Sequence, residues 1–202
     1  MAALIEAARA EDFPAEIAVV ISNRADAGGI ERAHASGIAT VTIESKPFGK
    51  DRAAFEAALQ PVLDQHRIEL ICLAGFMRLF TAEFVQHWYG RMLNIHPSLL
   101  PSFPGLDPQG QALRAGVKIS GATVHFVIPE TDAGPILMQG AVAVRDDDTP
   151  DTLAARILEV EHRIYPDALR LLASSGVRLD GDLCKIERSA GCEDVLISPA
   201  VN

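Results

Sequence analysis

The chain has 202 residues, 49% of them hydrophobic and 22% charged, which predicts one domain with a substantial core and argues against disorder away from the ends. Basic residues number 18 against 27 acidic ones, a net charge of −9; this disfavours a broad nucleic-acid surface but leaves room for one or two placed arginines to hold an anionic small molecule. No apolar run reaches the ~18 residues of a membrane span, and Met1–Glu6 lacks the basic region and long apolar stretch of a signal peptide, so a cytoplasmic protein without a membrane partner is expected.

The pattern begins with a helix over Ala2–Ala10, its Leu4, Ile5 and Ala8 on one face. Residues 16–22 form a continuous apolar run of strand length, the signature of a strand buried on both faces. After the loop Asn23–Asp26, a short helix over Ile30–Ser36 ends at Gly37, a C-cap signal, and a strand follows over Ala39–Ile43. Asp51 can cap a helix reaching about His66. A third apolar strand is predicted over Glu69–Ala74, a helix capped by Thr81 to about Trp88, and a strand over Arg91–Ile95. Gln109–Ala115 reads as helix. Gly121–Ile128 and Ile136–Val144 read as two strands that could pair antiparallel. Thr149, Pro150 and Asp151 open a long helix to about Ser174, with an N-cap, a first-turn proline and an acid at the positive dipole end. Val177–Leu179 reads as a short last strand, and residues 181–202 read as a weakly packed tail behind a domain spanning 1–180. Alternating apolar strands and helices predict a doubly wound, mostly parallel α/β sheet. Such sheets bind ligands at the carboxyl ends of their strands, a rule that groups Ser22–Asn23, Gly75–Arg78 and Asn94–His96 along one rim.

The three cysteines and six histidines show no CxxC, HxH or HxxxH spacing, so neither a disulfide framework nor a metal site is expected. Chemistry concentrates instead in residues 93–101, Leu-Asn-Ile-His-Pro-Ser-Leu-Leu-Pro. Asn94 and His96, two apart, share one side of an extended strand. The Asn94 amide can donate to a developing oxyanion; by itself it is equally a turn asparagine closing a strand. The His96 imidazole can serve as a general acid; its plain alternative is a ring satisfied by backbone. Asp132, before Gly134-Pro135, can orient His96, hold its protonated form or organise a water that takes the amine proton; its alternative is an Asx-turn residue. His125, on the preceding strand, is read as a packing residue. Donor, titratable ring and carboxylate are the parts needed to move an acyl group onto an amine.

Five segments together resemble the phosphoribosylglycinamide formyltransferases, the folate-dependent family of purine synthesis: residues 93–101, Leu73–Arg78, Gly121–Phe126, Asp132–Ile136 and Glu161–Pro166. The resemblance covers about residues 1–180. It implies a formyltransferase-like, Rossmann-type fold and formyl transfer from 10-formyltetrahydrofolate, a co-substrate needing no metal, to the amine of glycinamide ribonucleotide. It implies that Asn94, His96 and Asp132 are catalytic. It places Arg52, Met77, Arg78, Leu79 and Phe80 at the folate, along with Asn94 and the loop Ile128, Pro129, Glu130, Thr131 and Asp132, and it places Glu161 at the ribonucleotide. Without the resemblance, Arg52 and Glu161 read as solvated helix charges, whereas Arg78 stands at the binding rim, where a cation suits a carboxylate.

The chain departs from that family in two places. Members begin with a strand and a Gly-Ser-Asn-type loop that cradles a phosphate on backbone N–H groups, and here Met1–Ile5 aligns with the helix that follows. The absent strand would lie near the middle of the sheet, leaving neighbours with unpaired edges; weak substrate binding, with either instability or self-association, is therefore expected of these 202 residues. Gln109 stands where members often have a histidine and cannot titrate near neutral pH. The rival readings are a formyltetrahydrofolate hydrolase, which would use water in place of the amine, and a non-catalytic folate-binding remnant. Oligomeric state is not legible.

Overall fold

The computed structural model describes residues 1–186; the remaining residues, with Cys192 and most of the expected tail, lie outside the described part. A short helix α1 (Ala2–Ala7) leads to β1 (Val19–Ser22), α2 (Gly28–Ala35) and β2 (Ala39–Thr42). A single 3₁₀ turn at Lys46–Phe48, which the pattern does not predict, precedes α3 (Arg52–Gln65). Then come β3 (Ile71–Leu73), α4 (Ala82–His87), β4 (Met92–His96), α5 (Pro108–Ala115), β5 (Ile119–Phe126), β6 (Ile136–Ala143) and the long α6 (Pro150–Ala173). The chain closes with β7 (Val177–Asp180) and β8 (Leu183–Ile186), paired antiparallel. β8 falls inside the expected tail: the alternation over 183–186 is only four residues long and carries Lys185, too weak a pattern to stand out before its partner is known.

The caps read from the sequence form as hydrogen bonds. Asp51 accepts from Ala54 N at 2.9 Å and Thr81 from Phe84 N at 3.2 Å. Thr149 and Thr152 make a reciprocal capping box at the start of α6. Strand ends shift by a residue or two from the sequence pattern, because the pairing partner, not propensity, sets where a ladder stops.

β1 pairs with β2 in parallel, and β3 with β4 in parallel. β5 then runs antiparallel to β4 and to β6, so the sheet is mixed and the strands after β4 are its antiparallel part. β1 and β3 are not paired with each other; both line one cleft of about 1420 Å³. The apolar runs Val19–Ser22 and Ile71–Leu73 are consequently only half-buried along their length, where the sequence suggested strands buried on both faces. Each has a neighbour on one edge and the cleft on the other.

The core divides into two clusters. One is built where α6 crosses β5 and β6: Leu153, Ile157, Ile164, Tyr165, Ala168 and Leu169 pack with Leu93, Val124, Phe126 and Leu137. Gly140 permits the approach, since a Cβ there would stand 2.3 Å from Val160 Cγ1. The second joins Phe55, Leu59 and Leu63 of α3 to Phe84 of α4 and Trp88 at its C-terminal end. Glu56 is buried there, its carboxylate accepting from the Thr81 backbone N–H and, at 2.6 Å, from the Thr81 hydroxyl. A charge in the interior is tolerated when its oxygens are hydrogen-bonded in this way.

Tyr165 fastens α6 to the strands that carry the polar rim. Its hydroxyl is shared between the carbonyls of Leu73, at 2.8 Å, and Leu93, at 3.1 Å. Replacing it leaves two buried carbonyls short of a donor, so Tyr165→Phe is expected to lower unfolding free energy by about 1–2 kcal/mol. Urea denaturation checks this, with an unchanged midpoint counting against the link.

Candidate active site

The site is built on one face of β4 and β5. Their antiparallel register sets Asn94 opposite His125 and His96 opposite Thr123, and β6 adds Gln139 opposite Thr123. Side chains alternate along a strand, so these five residues share a face, and Leu93, Val124 and Phe126 take the other, against α6.

His96 is nearly fully buried, at 6% exposure. Its Nε2 lies 3.0 Å from the carbonyl of Phe103 and its Nδ1 3.5 Å from Oδ2 of Asp132. The carbonyl accepts from Nε2–H, and the carboxylate faces Nδ1. Asp132 reaches the site from the loop between β5 and β6. Its backbone is left-handed, φ 54°, a conformation asparagine and aspartate adopt more readily than other side chains. The same Oδ2 accepts from Gly105 N at 2.8 Å, which closes the loop after β4 over His96. Gly134 completes the turn: a Cβ there would fall 1.8 Å from the Phe126 carbonyl oxygen, so no other residue fits without moving the strand end.

His125 joins the constellation, contrary to its reading as a packing residue. Its Nε2 is 3.2 Å from Asn94 Nδ2 and 3.9 Å from Asp132 Oδ1, and its Nδ1 is 2.9 Å from the Phe126 carbonyl. Burial pushes its pKa below the ordinary value, more than the neighbouring Asp132 carboxylate raises it. The antiparallel pairing of β4 with β5 would have shown this in the sequence; the motif spacing does not.

The other residues named from the sequence are placed less uniformly. Loop residues Pro129, Glu130 and Thr131 are exposed and Ile128 is half-buried, all on the connection that delivers Asp132. Met77 and Leu79 are 76% and 50% exposed on the loop after β3, which pairs Leu73 with Asn94. Phe80 stacks between Phe76 and Phe84 at centroid distances of 5.1 and 4.8 Å. Arg78 is not the free cation the rim position suggests. Its terminal nitrogens donate to the carbonyls of Gly49 at 2.9 Å and Asp51 at 3.0 Å, and its guanidinium lies 5.0 Å from the Phe55 ring centroid. Arg52 is exposed at the first position of α3. Glu161 is half-buried on α6, away from the hydrogen-bonded set; burial raises its pKa and the Met1 amino group opposes that. Gln109 lies in the first turn of α5. Among the described residues no cluster of three or more His, Cys, Asp or Glu could hold a metal, and no helix is long and apolar enough to cross a membrane.

The loop after His96 is tied to the sheet by Thr123. Its hydroxyl donates to Ser98 O at 2.7 Å and accepts from Leu100 N and Gln139 Nε2, both at 3.0 Å. Thr123→Val removes all three bonds in a fully buried position. It is expected to cost about 1–3 kcal/mol and to leave the Leu100 amide open to hydrogen exchange, which NMR reads directly; protection at the wild-type level would refute the tie.

Comparison with known proteins identifies the family of the fold. The family model described as formyl transferase matches residues 1–169. The trifunctional purine biosynthetic protein adenosine-3 of Bos taurus is 48% identical over 184 residues, 90% of this chain but only 18% of that much longer protein. The phosphoribosylglycinamide formyltransferase of Bacillus subtilis is 42% identical over 170 residues, covering 84% of this chain and 87% of the relative. Among solved structures, glycinamide ribonucleotide transformylase 1 from Symbiobacterium toebii superposes with a TM-score of 0.88 at 46% identity, over 92% of this chain and 87% of the other. With a mixed α/β sheet of this connectivity, and relatives this similar across most of its length, the chain belongs to the formyl transferase family.

Proposed function

We propose that this chain transfers the formyl group of 10-formyltetrahydrofolate to the amine of glycinamide ribonucleotide. The observation that carries the reading is the convergence of Asn94, His96 and Asp132 on one rim of a formyl transferase fold. The names of the Bacillus subtilis and Symbiobacterium toebii relatives point to the same reaction.

In this reading each side chain has one task. Asn94 is half-buried and keeps an amide N–H for the formyl oxygen as negative charge develops there. Asp132 receives the proton shed by the attacking amine. His96, held between Phe103 O and Asp132, supplies a proton to the nitrogen that leaves, and the proton on Asp132 then passes to His96, so proton transfer balances over the cycle. The residues present suit a folate. Met77 and Leu79 offer exposed apolar surface at the end of β3 beside Asn94, and the loop Ile128–Thr131 offers backbone donors and acceptors for a flat heteroaromatic ring. Arg78 and Phe80 shape that pocket, Arg78 by bracing the backbone at Gly49 and Asp51. Arg52, exposed at the first position of α3, is assigned to a folate carboxylate. Glu161, half-buried on α6, is assigned to the ribonucleotide.

The test is formyl transfer measured with and without the ribonucleotide. Asn94→Ala is expected to lower kcat by about 10²–10³-fold, the effect of losing one oxyanion donor. Formate release without the ribonucleotide would replace this reading with hydrolysis of the same donor, and folate binding without turnover would replace it with a binding role.

A further inference from the structure

His125 occupies the centre of the polar face without touching any position assigned to a reacting atom. Its Nδ1 lies 2.9 Å from the Phe126 carbonyl oxygen. A carbonyl only accepts, so Nδ1 carries a proton. In the neutral ring Nε2 then holds a lone pair and accepts. The nearest side-chain group to it is the Asn94 amide at 3.2 Å. Only the NH₂ end of a carboxamide can donate there; the oxygen end would set lone pair against lone pair. We propose that His125 is a positioning residue that fixes the orientation of the Asn94 amide, so that nitrogen and not oxygen faces the formyl carbonyl. This rests on the formyl-transfer reading of the site.

The geometry gives the idea its sign. The Asn94 nitrogen has two hydrogens. One is spent on His125, which leaves the other for the substrate oxygen. A flipped amide would put Oδ1 where Nδ2 now stands and turn the negative end of the dipole toward the developing oxyanion. His125 is 3% exposed, and the charged or titratable groups around it are Asp132, with Oδ1 at 3.9 Å, and His96 across the same face. Its neighbour on β6, Ile136, does not titrate. Burial outweighs the carboxylate and keeps the ring neutral through the physiological range. A protonated ring would donate from Nε2 and select the flipped amide.

A double-mutant cycle separates positioning from simple packing. His125→Leu keeps bulk and removes the acceptor; kcat is expected to fall about a hundredfold, with KM changed less than about threefold, as for loss of a donor used only in the transition state. His125→Gln, whose carbonyl can accept from the same amide, is expected to recover a substantial part of that loss. In an Asn94→Ala background, His125→Leu is expected to add less than about twofold, because the group it acts through is gone. Multiplicative losses in the double variant would overturn the proposal, as would a His125→Gln variant no better than His125→Leu at equal thermal stability. The tautomer is read independently by ¹⁵N NMR of the unmodified protein: Nδ1 protonated and Nε2 bare supports the proposal, and the reverse overturns it even if the chain shows no transfer. An inactive wild type would instead count against the function proposed above.

Discussion

The pairing of β4 with β5 is the constraint on which the rest of the site depends. Leu93 faces Phe126, Asn94 faces His125, Ile95 faces Val124 and His96 faces Thr123. Alternation then sorts the two strands into an apolar face, closed by α6, and a polar face at the rim. A slip of one residue would carry Asn94 and His96 into the α6 contact and turn Leu93 toward the rim. The apolar side holds the register: Leu93, Val124 and Phe126 are each at most 1% exposed, and moving them into water would cost about 1.5–3 kcal/mol apiece.

The polar face is supported by bonds that reach between segments distant in the chain. Thr123 and Gln139 hold the loop after His96 through Ser98 and Leu100. Asp132 holds the same loop from its other end through Gly105. The carboxylate thus has two tasks, one in the loop and one beside the His96 ring, and both depend on the left-handed backbone of Asp132 and on Gly134, two residues on, which lies against the Phe126 carbonyl. Such bracing keeps donors and acceptors in place before a substrate arrives, which is what electrostatic catalysis requires.

The cleft between β1 and β3 is the contrasting region. Apolar strand residues are half-buried there, and each strand has a ladder on one edge only. Apolar surface left in water contributes nothing to stability, so the hydrophobic clusters of α6 and of α3 with α4 hold this fold. Arg78 belongs to the same lesson. In the sequence it is a cation at a rim; in the fold its guanidinium spans the turn before α3 and lies over Phe55. Backbone carbonyls compete for a guanidinium as carboxylates do, and no one-dimensional pattern reveals which carbonyls are near.

Local signals in the sequence determined the helices, their caps at Asp51, Thr81 and Thr149, the apolar strands, the placing of Asn94 and His96 on one side of β4, and the candidacy of Asp132. Each of these rests on neighbours within a few residues, where periodicity and capping chemistry act. The 3₁₀ turn at Lys46–Phe48 and the strand β8 were too short to carry such a signal. Only the tertiary structure decided that β5 returns antiparallel beside β4. That return makes His125 the partner of Asn94, Thr123 the anchor of the loop, and Phe103 the acceptor for His96. Hydrogen bonds between residues seven to some thirty positions apart depend on which strands become neighbours, and the packing of α6 against the sheet settles that, not any motif along the chain.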